Sequence, residues 1–352
     1  MEFDDSPDEA AFRRRVRAFL DDHRPDVGGY LAEWPPRDLD DERDARFVAA
    51  ARAWQRVKFD HGFAGLAWPV EYGGQGLDIL HELIFAEEEG PAALLSGVFS
   101  VGIGMVGPTI IVHGSEAQKA RFLGPLLRGD QVWCQLFSEP NAGSDLASLA
   151  TKAVRDGDAW VIRGQKVWTS HAHYADWGIL LARTEVEVPK HRGITCFLVD
   201  MRSAGIEIRP LRQATGSAEF NEVFLNDVVI ADGFRLGNVN DGWRVALTTL
   251  ASERASIGGA TGIVHFDEVL VLAGQFGLRN DPVVRQELAA YYTRVQLLKW
   301  LGWRARTSLS RGDGLGPESS VMKLAMSRHL EAMGDLVLRL QGPAGMLDRT
   351  DA

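Results

Sequence analysis

The sequence has few cysteines and no concentration of positive charge. Only two of the 352 residues are cysteines, Cys134 and Cys196, and each lies in an apolar segment far from the other. Isolated cysteines of this kind are typical of reduced thiols in a protein core, which favours a cytoplasmic protein over a disulfide-linked secreted one. The formal net charge is −10, and the acidic residues are spread along the chain without a basic stripe. We therefore expect no nucleic-acid partner.

The sequence also lacks the features of targeting and membrane segments. Its first nine residues include five acidic ones, whereas a signal peptide begins with basic residues and continues into an apolar stretch. One uncharged run, residues 94–112, approaches the length of a bilayer span. Because glycines and a proline interrupt this run, a buried helical hairpin is the better interpretation, and we expect no membrane partner.

The hydrophobic periodicity changes twice along the chain and predicts three domains. Apolar residues recur at helical spacing through residues 1–131, which predicts an N-terminal α-helical domain. Residues 132–234 contain short apolar runs between turn residues, which predict a middle β domain. Helical spacing returns over residues 235–352 and predicts a C-terminal helical bundle. The fold class is therefore α+β.

Local patterns support this division. Phe12 and Val16 are four residues apart, as expected for the apolar face of a helix. Ser115 followed by Gln118 predicts a capping box at the start of a later helix. The tripeptide Asp156-Gly157-Asp158 separates two short apolar runs and predicts the turn of a β-hairpin.

Two polar segments in the middle domain are candidate binding elements. The first, residues 137–146, follows an apolar run and presents backbone N–H groups, the glycine Gly143 and the hydroxyls of Ser138 and Ser144. This combination suits phosphate or carbonyl oxygens. The second, residues 164–170, places the flat aromatic wall of Trp168 between hydrogen-bonding residues. A flat heterocycle fits beside such a wall.

Both segments resemble motifs of the acyl-CoA dehydrogenase family. Residues 65–74, 113–119, 241–244 and 252–254 are also similar to landmarks of that family, and all these stretches follow one another in family order. Each stretch alone is a weak signal, but their order over nearly the whole chain is specific. The resemblance implies the family architecture: an N-terminal helical domain, a middle β domain and a C-terminal helical bundle.

The resemblance implies FAD-dependent dehydrogenation of an acyl-CoA substrate to its 2-enoyl-CoA. Removing two hydrogens from an unactivated Cα–Cβ bond needs a base for the α-proton and an acceptor for the β-hydride, and no protein side chain accepts a hydride. The family position of Ser144 contacts both FAD and the CoA chain. No metal site is predicted. The residues that the resemblance places at FAD are Gln135, Phe137, Ser138, Gly143, Ser144, Trp168, Thr169 and Ser170.

The resemblance offers two positions for the catalytic base. Many family members carry it just before a Thr-x-x-Ile-Gln segment near the C-terminus. This sequence does not contain that segment, so the chain is either naturally short or missing its last few dozen residues. A subclass similar to isovaleryl-CoA dehydrogenase carries a glutamate directly before an arginine on an earlier helix, and Glu253-Arg254 matches it, although such a pair usually lies on a solvated surface. The matched position implies Glu253 as the α-proton base and Arg254 as a substrate contact or orienting group.

One departure from the family bears on assembly. The Arg-x-x-Phe-Gly motif, with which one subunit contacts its neighbour's FAD, reads Ala273-Gly274-Gln275-Phe276-Gly277 here, so the arginine is absent. Some actinobacterial family members form mixed tetramers that share incomplete sites, and this chain is compatible with such an arrangement. We expect a homo- or hetero-oligomer, either a dimer or a tetramer.

Three functions stay open on the sequence alone. The first is a dehydrogenase of lipid degradation that passes electrons to an electron-transfer flavoprotein. The second is a flavin oxidase or monooxygenase on the same fold, and the third is a non-catalytic partner subunit. The acyl group is not predicted, because its length and branching depend on the shape of a pocket rather than on single residues.

Overall fold

The computed structural model describes residues 5–32, 41–214, 216–257, 266–311 and 316–347. The chain divides into a large unit, Ala11–Ser256, and a small unit, Met1–Ala10 with Ile257–Ala352. Apolar clusters fill the large unit, and a separate apolar cluster lies within the small unit. Each unit therefore has a core of its own.

Helices form the N-terminal part of the chain, and their buried faces follow the predicted spacing. Phe12, Val16 and Phe19 of the first helix are buried. The predicted capping box is confirmed, because the Ser115 hydroxyl accepts the N–H of Gln118 at 3.3 Å and the Gln118 side chain accepts the N–H of Ser115 at 3.0 Å. The helices are α1 (Pro7–His23), α2 (Gly28–Ala32), α3 (Asp41–Asp60), α4 (Ile79–Glu89), α5 (Ala93–Ser96), α6 (Gly107–His113) and α7 (Glu116–Leu127).

The uncharged run that was expected to form a helical hairpin is instead one helical path with a bend. A 3₁₀ turn (Gly97–Phe99) and a π-helical turn (Gly102–Val106) lead from α5 into α6. The axis changes by 68° between Ile79–Phe99 and Gly102–His113, because irregular turns stand where a hairpin needs a reversing loop. Across the described ranges no single helix is long and apolar enough to span a membrane. The two halves of this bent pair reach that length and apolar composition only when they are counted together.

The middle of the chain forms a sheet. Its strands are β1 (Trp133–Leu136), β2 (Lys152–Asp156), β3 (Ala159–Ser170), β4 (Trp177–Arg183), β5 (Ile194–Asp200), β6 (Ile206–Leu211), β7 (Phe220–Ala231) and β8 (Arg235–Leu236). Their order is β6-β7-β3-β2-β4-β5-β8, and β1 pairs with β4 in parallel. The predicted hairpin is confirmed, since β2 and β3 pair antiparallel up to Asp156 and Ala159 and Gly157 turns the chain with a φ of 57°.

Helix α8 (Gly242–Ile257) follows the sheet and packs on the core of the large unit. Its residues Val245 and Ala246 belong to an apolar cluster that also contains Ile110 of α6 and Phe137, which follows β1. The same core therefore supports the candidate cofactor segment and the helix that carries the predicted base.

Three helices of the small unit pack on one another. They are α9 (Phe266–Gln275), α10 (Pro282–Ser310) and α11 (Glu318–Gln341). Their shared core contains Val269, Ala273, Leu288, Tyr291, Leu336 and Leu340. Helices before and after a single sheet confirm the predicted α+β class.

Candidate active site

The first candidate segment is a turn that leaves the sheet at the end of β1. The N–H of Glu139 donates to the carbonyl of Ala142, and the N–H of Ala142 donates back to the carbonyl of Glu139, both at 3.0 Å. After this closed turn Gly143 and Ser144 are exposed. No hydrogen bond among the described residues uses the N–H of Gly143 or Ser144. These two donors therefore face solvent at the position predicted for an anionic ligand.

A buried ion pair connects this turn to β3. Nζ of Lys166 lies 2.8 Å from Oε1 of Glu139 and donates to the carbonyl of Phe137 at 3.1 Å. The Glu139 carboxylate also accepts the N–H groups of Ala150 at 2.6 Å and Thr151 at 2.9 Å. Both charged side chains are buried. The buried carboxylate of Glu139 and the carbonyl of Phe137 thus both have hydrogen-bond donors in the core.

The surroundings keep both members of this pair charged at neutral pH. Burial lowers the pKa of Lys166 to about 8, against the attraction of Glu139, which acts to raise it. Burial alone would raise the pKa of Glu139, but the charge of Lys166 and the hydrogen bonds to the carboxylate outweigh burial and lower it. Opposite charges and hydrogen bonds are the conditions under which a buried ion pair is tolerated.

The second candidate segment is the end of β3, where a β-bulge exposes Trp168. The pairing of β3 with β7 shifts register between Lys166 and Thr169, so that two residues of β3 face one residue of β7. Within the bulge Trp168 has a φ of 61°, which is rare for a bulky residue, and 61% of its surface is exposed. Its ring meets Phe220 edge to face at 6.0 Å. Strained backbone of this kind clusters at ligand sites.

A main-chain hydrogen bond joins the two candidate segments. The N–H of Val167 donates to the carbonyl of Ser138 at 3.0 Å. Ser138 and Ser170 are half-buried, whereas Thr169 is buried and its hydroxyl has no hydrogen-bond partner among the described residues. Asn221 of β7 supports this end of β3, because its amide donates to the carbonyl of Thr169 at 3.0 Å. The structure thus brings the loop and the tryptophan segment side by side.

Two further cations anchor the far end of the loop. Lys190 contacts both carboxylate oxygens of Asp145 at 2.7 Å. Arg183, at the end of β4, donates to the carbonyls of Ala147 at 2.6 Å and Leu149 at 3.2 Å. Both ends of the loop are therefore tied to neighbouring elements, and the exposed residues between them form its tip.

Sequence reasoning missed Glu139, Lys166 and Arg183 as functional residues, although the first two stand inside the two candidate segments. A signal was present in β3. Side chains alternate between the faces of a strand, and the buried Trp160 and Ile162 place Lys166 on the same inward face. A lysine at an inward position needs a buried carboxylate, and a glutamate in the neighbouring small-residue loop was a candidate.

The predicted base lies on α8, one turn after a buried contact with α6. The hydroxyls of Thr109 and Thr249 are 3.0 Å apart, and both side chains are buried. Glu253 follows Thr249 by four residues, so the two share a helix face, and Glu253 is half-buried. The side chain of Arg254 lies outside the described residues. Gln135 is half-buried on β1, opposite Ile179 of β4.

The donors at the two segments fit FAD. Its pyrophosphate is anionic, and the exposed N–H groups of Gly143 and Ser144 are suited to phosphate oxygens. The nearby carboxylate of Glu139 is compensated by Lys166, so it does not repel a phosphate. The isoalloxazine ring of FAD is flat, and Trp168, whose surface is 61% exposed, stands in the segment that Val167 joins to this loop.

An α+β chain with these donors and this tryptophan fits the class of flavin-dependent oxidoreductases. Family models for acyl-CoA dehydrogenases match almost all of it: the N-terminal domain matches residues 6–130, the middle domain residues 134–228, and the C-terminal domain residues 240–352. The chain belongs to the acyl-CoA dehydrogenase family, which confirms the resemblance seen in its motifs.

The chain is similar to mycobacterial acyl-CoA dehydrogenases in sequence and to a solved acyl-CoA dehydrogenase in structure. Acyl-CoA dehydrogenase FadE34 of Mycobacterium tuberculosis is 40% identical over 344 residues, which is 97% of this chain but 46% of FadE34. Acyl-CoA dehydrogenase IpdE1 of Mycolicibacterium smegmatis is 38% identical over 349 residues, 95% of this chain and 86% of IpdE1. A solved structure described as the Tcur3481-Tcur3483 steroid ACAD is 29% identical with a TM-score of 0.83, covering 99% of this chain and 88% of that one.

Proposed function

We propose that this protein catalyses the FAD-dependent α,β-dehydrogenation of an acyl-CoA thioester to the 2-enoyl-CoA. The observation that carries the proposal is the bulge that exposes Trp168 beside the anchored loop at residues 137–144. An indole with a strained backbone and a largely exposed ring, in a segment joined to a loop with unpaired N–H donors, suits a flat, phosphate-bearing cofactor. Family membership supplies the class of chemistry.

The two segments have separate roles in this proposal. The exposed N–H groups and hydroxyls of the loop hold the phosphates, and Ser144 also contacts the CoA chain. Trp168 stands against the flavin ring, with the half-buried Ser170 beside it. A bound FAD would supply the hydride acceptor that no side chain provides. The proposed FAD contacts are Gln135, Phe137, Ser138, Gly143, Ser144, Trp168, Thr169 and Ser170.

Glu253 is the proposed base that takes the α-proton of the thioester. A base must be held in place, and α8 is fixed by the Thr109–Thr249 contact one turn before Glu253. Arg254, the next residue, is proposed to contact the CoA part of the substrate or to orient Glu253. Together they would complete proton abstraction, with the carboxylate of Glu253 accepting the proton.

Steroid-derived acyl-CoA thioesters are the first substrates to consider, because the similar solved structure is described as a steroid ACAD. We propose an electron-transfer flavoprotein as the electron acceptor, as in the dehydrogenase branch of the family. The buried, free thiols of Cys134 and Cys196 support an activity in the reducing cytoplasm.

We further propose that the chain works in a hetero-oligomer. Ala273 stands where the family motif has its arginine, and it is buried in the core of the small unit. Because the family arginine contacts a neighbouring subunit's FAD, a chain without it contributes little to a neighbour's site, and a second chain would have to supply that contact. The name Tcur3481-Tcur3483 joins two proteins, which supports a second chain as the partner.

A bleaching assay tests the proposed reaction. Purified protein with bound FAD, alone and with a co-expressed second chain, is mixed without oxygen with straight, branched and steroid side-chain acyl-CoA thioesters. We expect at least one thioester to bleach the flavin absorbance and to yield the 2-enoyl-CoA. Oxygen consumption with the same thioester would identify an oxidase instead, and flavinated protein that no thioester bleaches would contradict the proposal.

A further inference from the structure

Glu139 and Lys166 are buried charges to which the proposed chemistry gives no task. Replacing a buried ion pair by apolar residues of similar volume is often neutral or stabilising, so such a pair is weak support for overall stability. Its contacts indicate another role. The pair links the loop to β3, and Lys166 bonds the carbonyl of Phe137 as well as Glu139.

These contacts hold the backbone on each side of Ser138. The carbonyl of Phe137 accepts from Lys166, the carbonyl of Ser138 accepts from the N–H of Val167, and the carboxylate of Glu139 meets Lys166. Lys166 is also the residue after which the register of β3 against β7 shifts into the bulge. Lys166 therefore contacts the loop with its side chain and lies two residues before Trp168 in β3.

We propose that Glu139 and Lys166 are positioning residues that hold the loop at residues 137–144 and the Trp168 bulge in one arrangement, so that both face the same flavin. The inference rests on the proposed function. Neither residue touches the flavin in this scheme. They act through Ser138 and Trp168, whose relative position decides whether the phosphates and the ring are bound together.

The charge of Lys166 adds a pH dependence to this role. Burial lowers its pKa to about 8, the positive charge of Arg183 acts in the same direction, and Glu139 opposes both. Above this pH the lysine loses its proton, and the ion pair to Glu139 is lost with it. We therefore expect the FAD affinity of the wild type to fall from about pH 7 to about pH 9.5, and we expect this loss to be absent from variants without the pair.

The test compares two buried ion pairs of the large unit. Glu139→Gln with Lys166→Met removes the proposed positioning pair without leaving an uncompensated charge. The control, Glu89→Gln with Lys58→Met, removes a second buried pair, whose Nζ and Oε1 are 3.3 Å apart and which lies among α3, α4 and the following turn. FAD is titrated into the full chain freed of flavin, alone and with the co-expressed second chain, and flavin fluorescence, the visible circular dichroism of bound FAD and the unfolding midpoint without FAD are measured.

We expect the Glu139/Lys166 double variant to bind FAD about 10–100-fold more weakly and to alter the dichroism of bound flavin, as loss of supporting contacts does at other sites. The control should retain the wild-type affinity for FAD, even if its unfolding midpoint falls as far as that of the Glu139/Lys166 double variant. Exchange of the charges, Glu139→Lys with Lys166→Glu, should not restore affinity, because a lysine at residue 139 cannot accept the N–H groups of Ala150 and Thr151.

Glu139→Asp decides the matter if the double variant does not fold, since it keeps the charge but shortens the reach to Lys166, and we expect severalfold weaker FAD binding. Wild-type affinity in Glu139→Asp or in the double variant, or an equal loss in the control, overturns the positioning role while the proposed function stands. Failure of the wild type to bind FAD, alone or with a second chain, overturns both.

Discussion

The hydroxyls of Thr109 and Thr249 meet at 3.0 Å in the core of the large unit, and this contact adds to the apolar packing that holds α8 against α6. The Thr109 hydroxyl also donates to the carbonyl of Met105 at 2.7 Å, at the end of the π-helical turn. Glu253 stands one helical turn beyond Thr249 and inherits its position from this contact. A base on a rigid helix keeps its distance from the substrate through the catalytic cycle.

Replacing Glu253 by Gln tests the proposed base directly. Glutamine keeps the size and most hydrogen bonds of the side chain but cannot accept the α-proton. We expect turnover to fall by about 10²–10⁴-fold while the acyl-CoA still binds, so that the bound flavin stays oxidised in the presence of substrate. Stopped-flow absorbance of the flavin measures both. If Glu253→Gln reduced its flavin with substrate at nearly the wild-type rate, the base would lie outside this helix.

Thr249→Val serves as the matched control for Glu253→Gln. It removes the hydroxyl contact to Thr109 but leaves the carboxylate in place, and the Thr109 hydroxyl retains the carbonyl of Met105. We expect a loss of about 1 kcal/mol of stability and a rate loss far smaller than that of Glu253→Gln, because the buried Val245 and Ala246 still hold α8 on the core. If Thr249→Val lost as much rate as Glu253→Gln, the position of α8, rather than the carboxylate of Glu253, would account for the rate loss of Glu253→Gln.

Trp168→Ala tests the aromatic wall. Removing the indole deletes the surface against which the flavin ring is proposed to lie, and the side chain contributes little to packing because 61% of its surface is exposed. We expect FAD occupancy to fall by about tenfold without loss of the fold. The ratio of flavin to protein absorbance after purification measures it.

Two variants separate the ring of Trp168 from its backbone conformation. Trp168→Phe keeps an aromatic face and should retain most of the FAD. Trp168→Gly relieves the positive φ of 61° but removes the ring. It should therefore bind FAD as weakly as Trp168→Ala does, but unfold at a higher denaturant concentration than Trp168→Ala. Unchanged flavin content in both Ala and Gly variants would place the ring elsewhere.

The absence of the family arginine at Ala273 predicts a need for a partner chain. Expressed alone, the protein should be poorly flavinated or unstable, and co-expression with a partner should restore flavin, because a chain that binds only the native form stabilises it by mass action. Light scattering and flavin content measure assembly and loading together. Full flavin content and normal turnover of the isolated chain would remove this need.

The small unit should lose stability in mild acid because of His329. Its ring is buried, stacks on Tyr291 at 5.0 Å, and has no hydrogen-bond partner for either nitrogen among the described residues. Burial, followed by the charge of Arg294, lowers its pKa from the ordinary value of 6.5. The unfolded chain therefore takes up a proton before the folded one does, so the free energy of unfolding should fall as the pH drops below about 6.5.

His329→Phe removes this titration and keeps an aromatic ring against Tyr291. Urea unfolding of the wild type and the variant at about pH 7 and about pH 5.5 should show a smaller acid loss in the variant. Parallel losses in the two proteins would mean that His329 does not titrate on unfolding.

Periodicity and local signals predicted much of the fold because they are short-range properties. The Ser115–Gln118 capping box and the turn at Gly157 need only a few adjacent residues, and the structure contains both. The bend after Phe99 was not predictable in this way. Glycines indicate an irregular helix and a reversing loop equally well, and packing decides between them.

The candidate site shows the same division. Trp168 and Ser144 were identified because they stand in recognisable motifs, and their exposure agrees with a surface role. The pairing of Glu139 with Lys166 depends on two segments folding against each other, so neither residue alone indicated it. The strand alternation of β3 was the available signal, and a lysine on the inward face was its conspicuous exception.

The anchors of the cofactor loop also determine when it can form. Glu139 and Lys166 are 27 residues apart in the chain, Arg183 and Ala147 are 36 apart, and Asp145 and Lys190 are 45 apart. Contacts between distant residues form slowly, because the chain must close a long loop first. The cofactor loop therefore gains all of these anchors only when the chain from Glu139 to Lys190 has folded together, and a chain that ends before residue 190 lacks one of them.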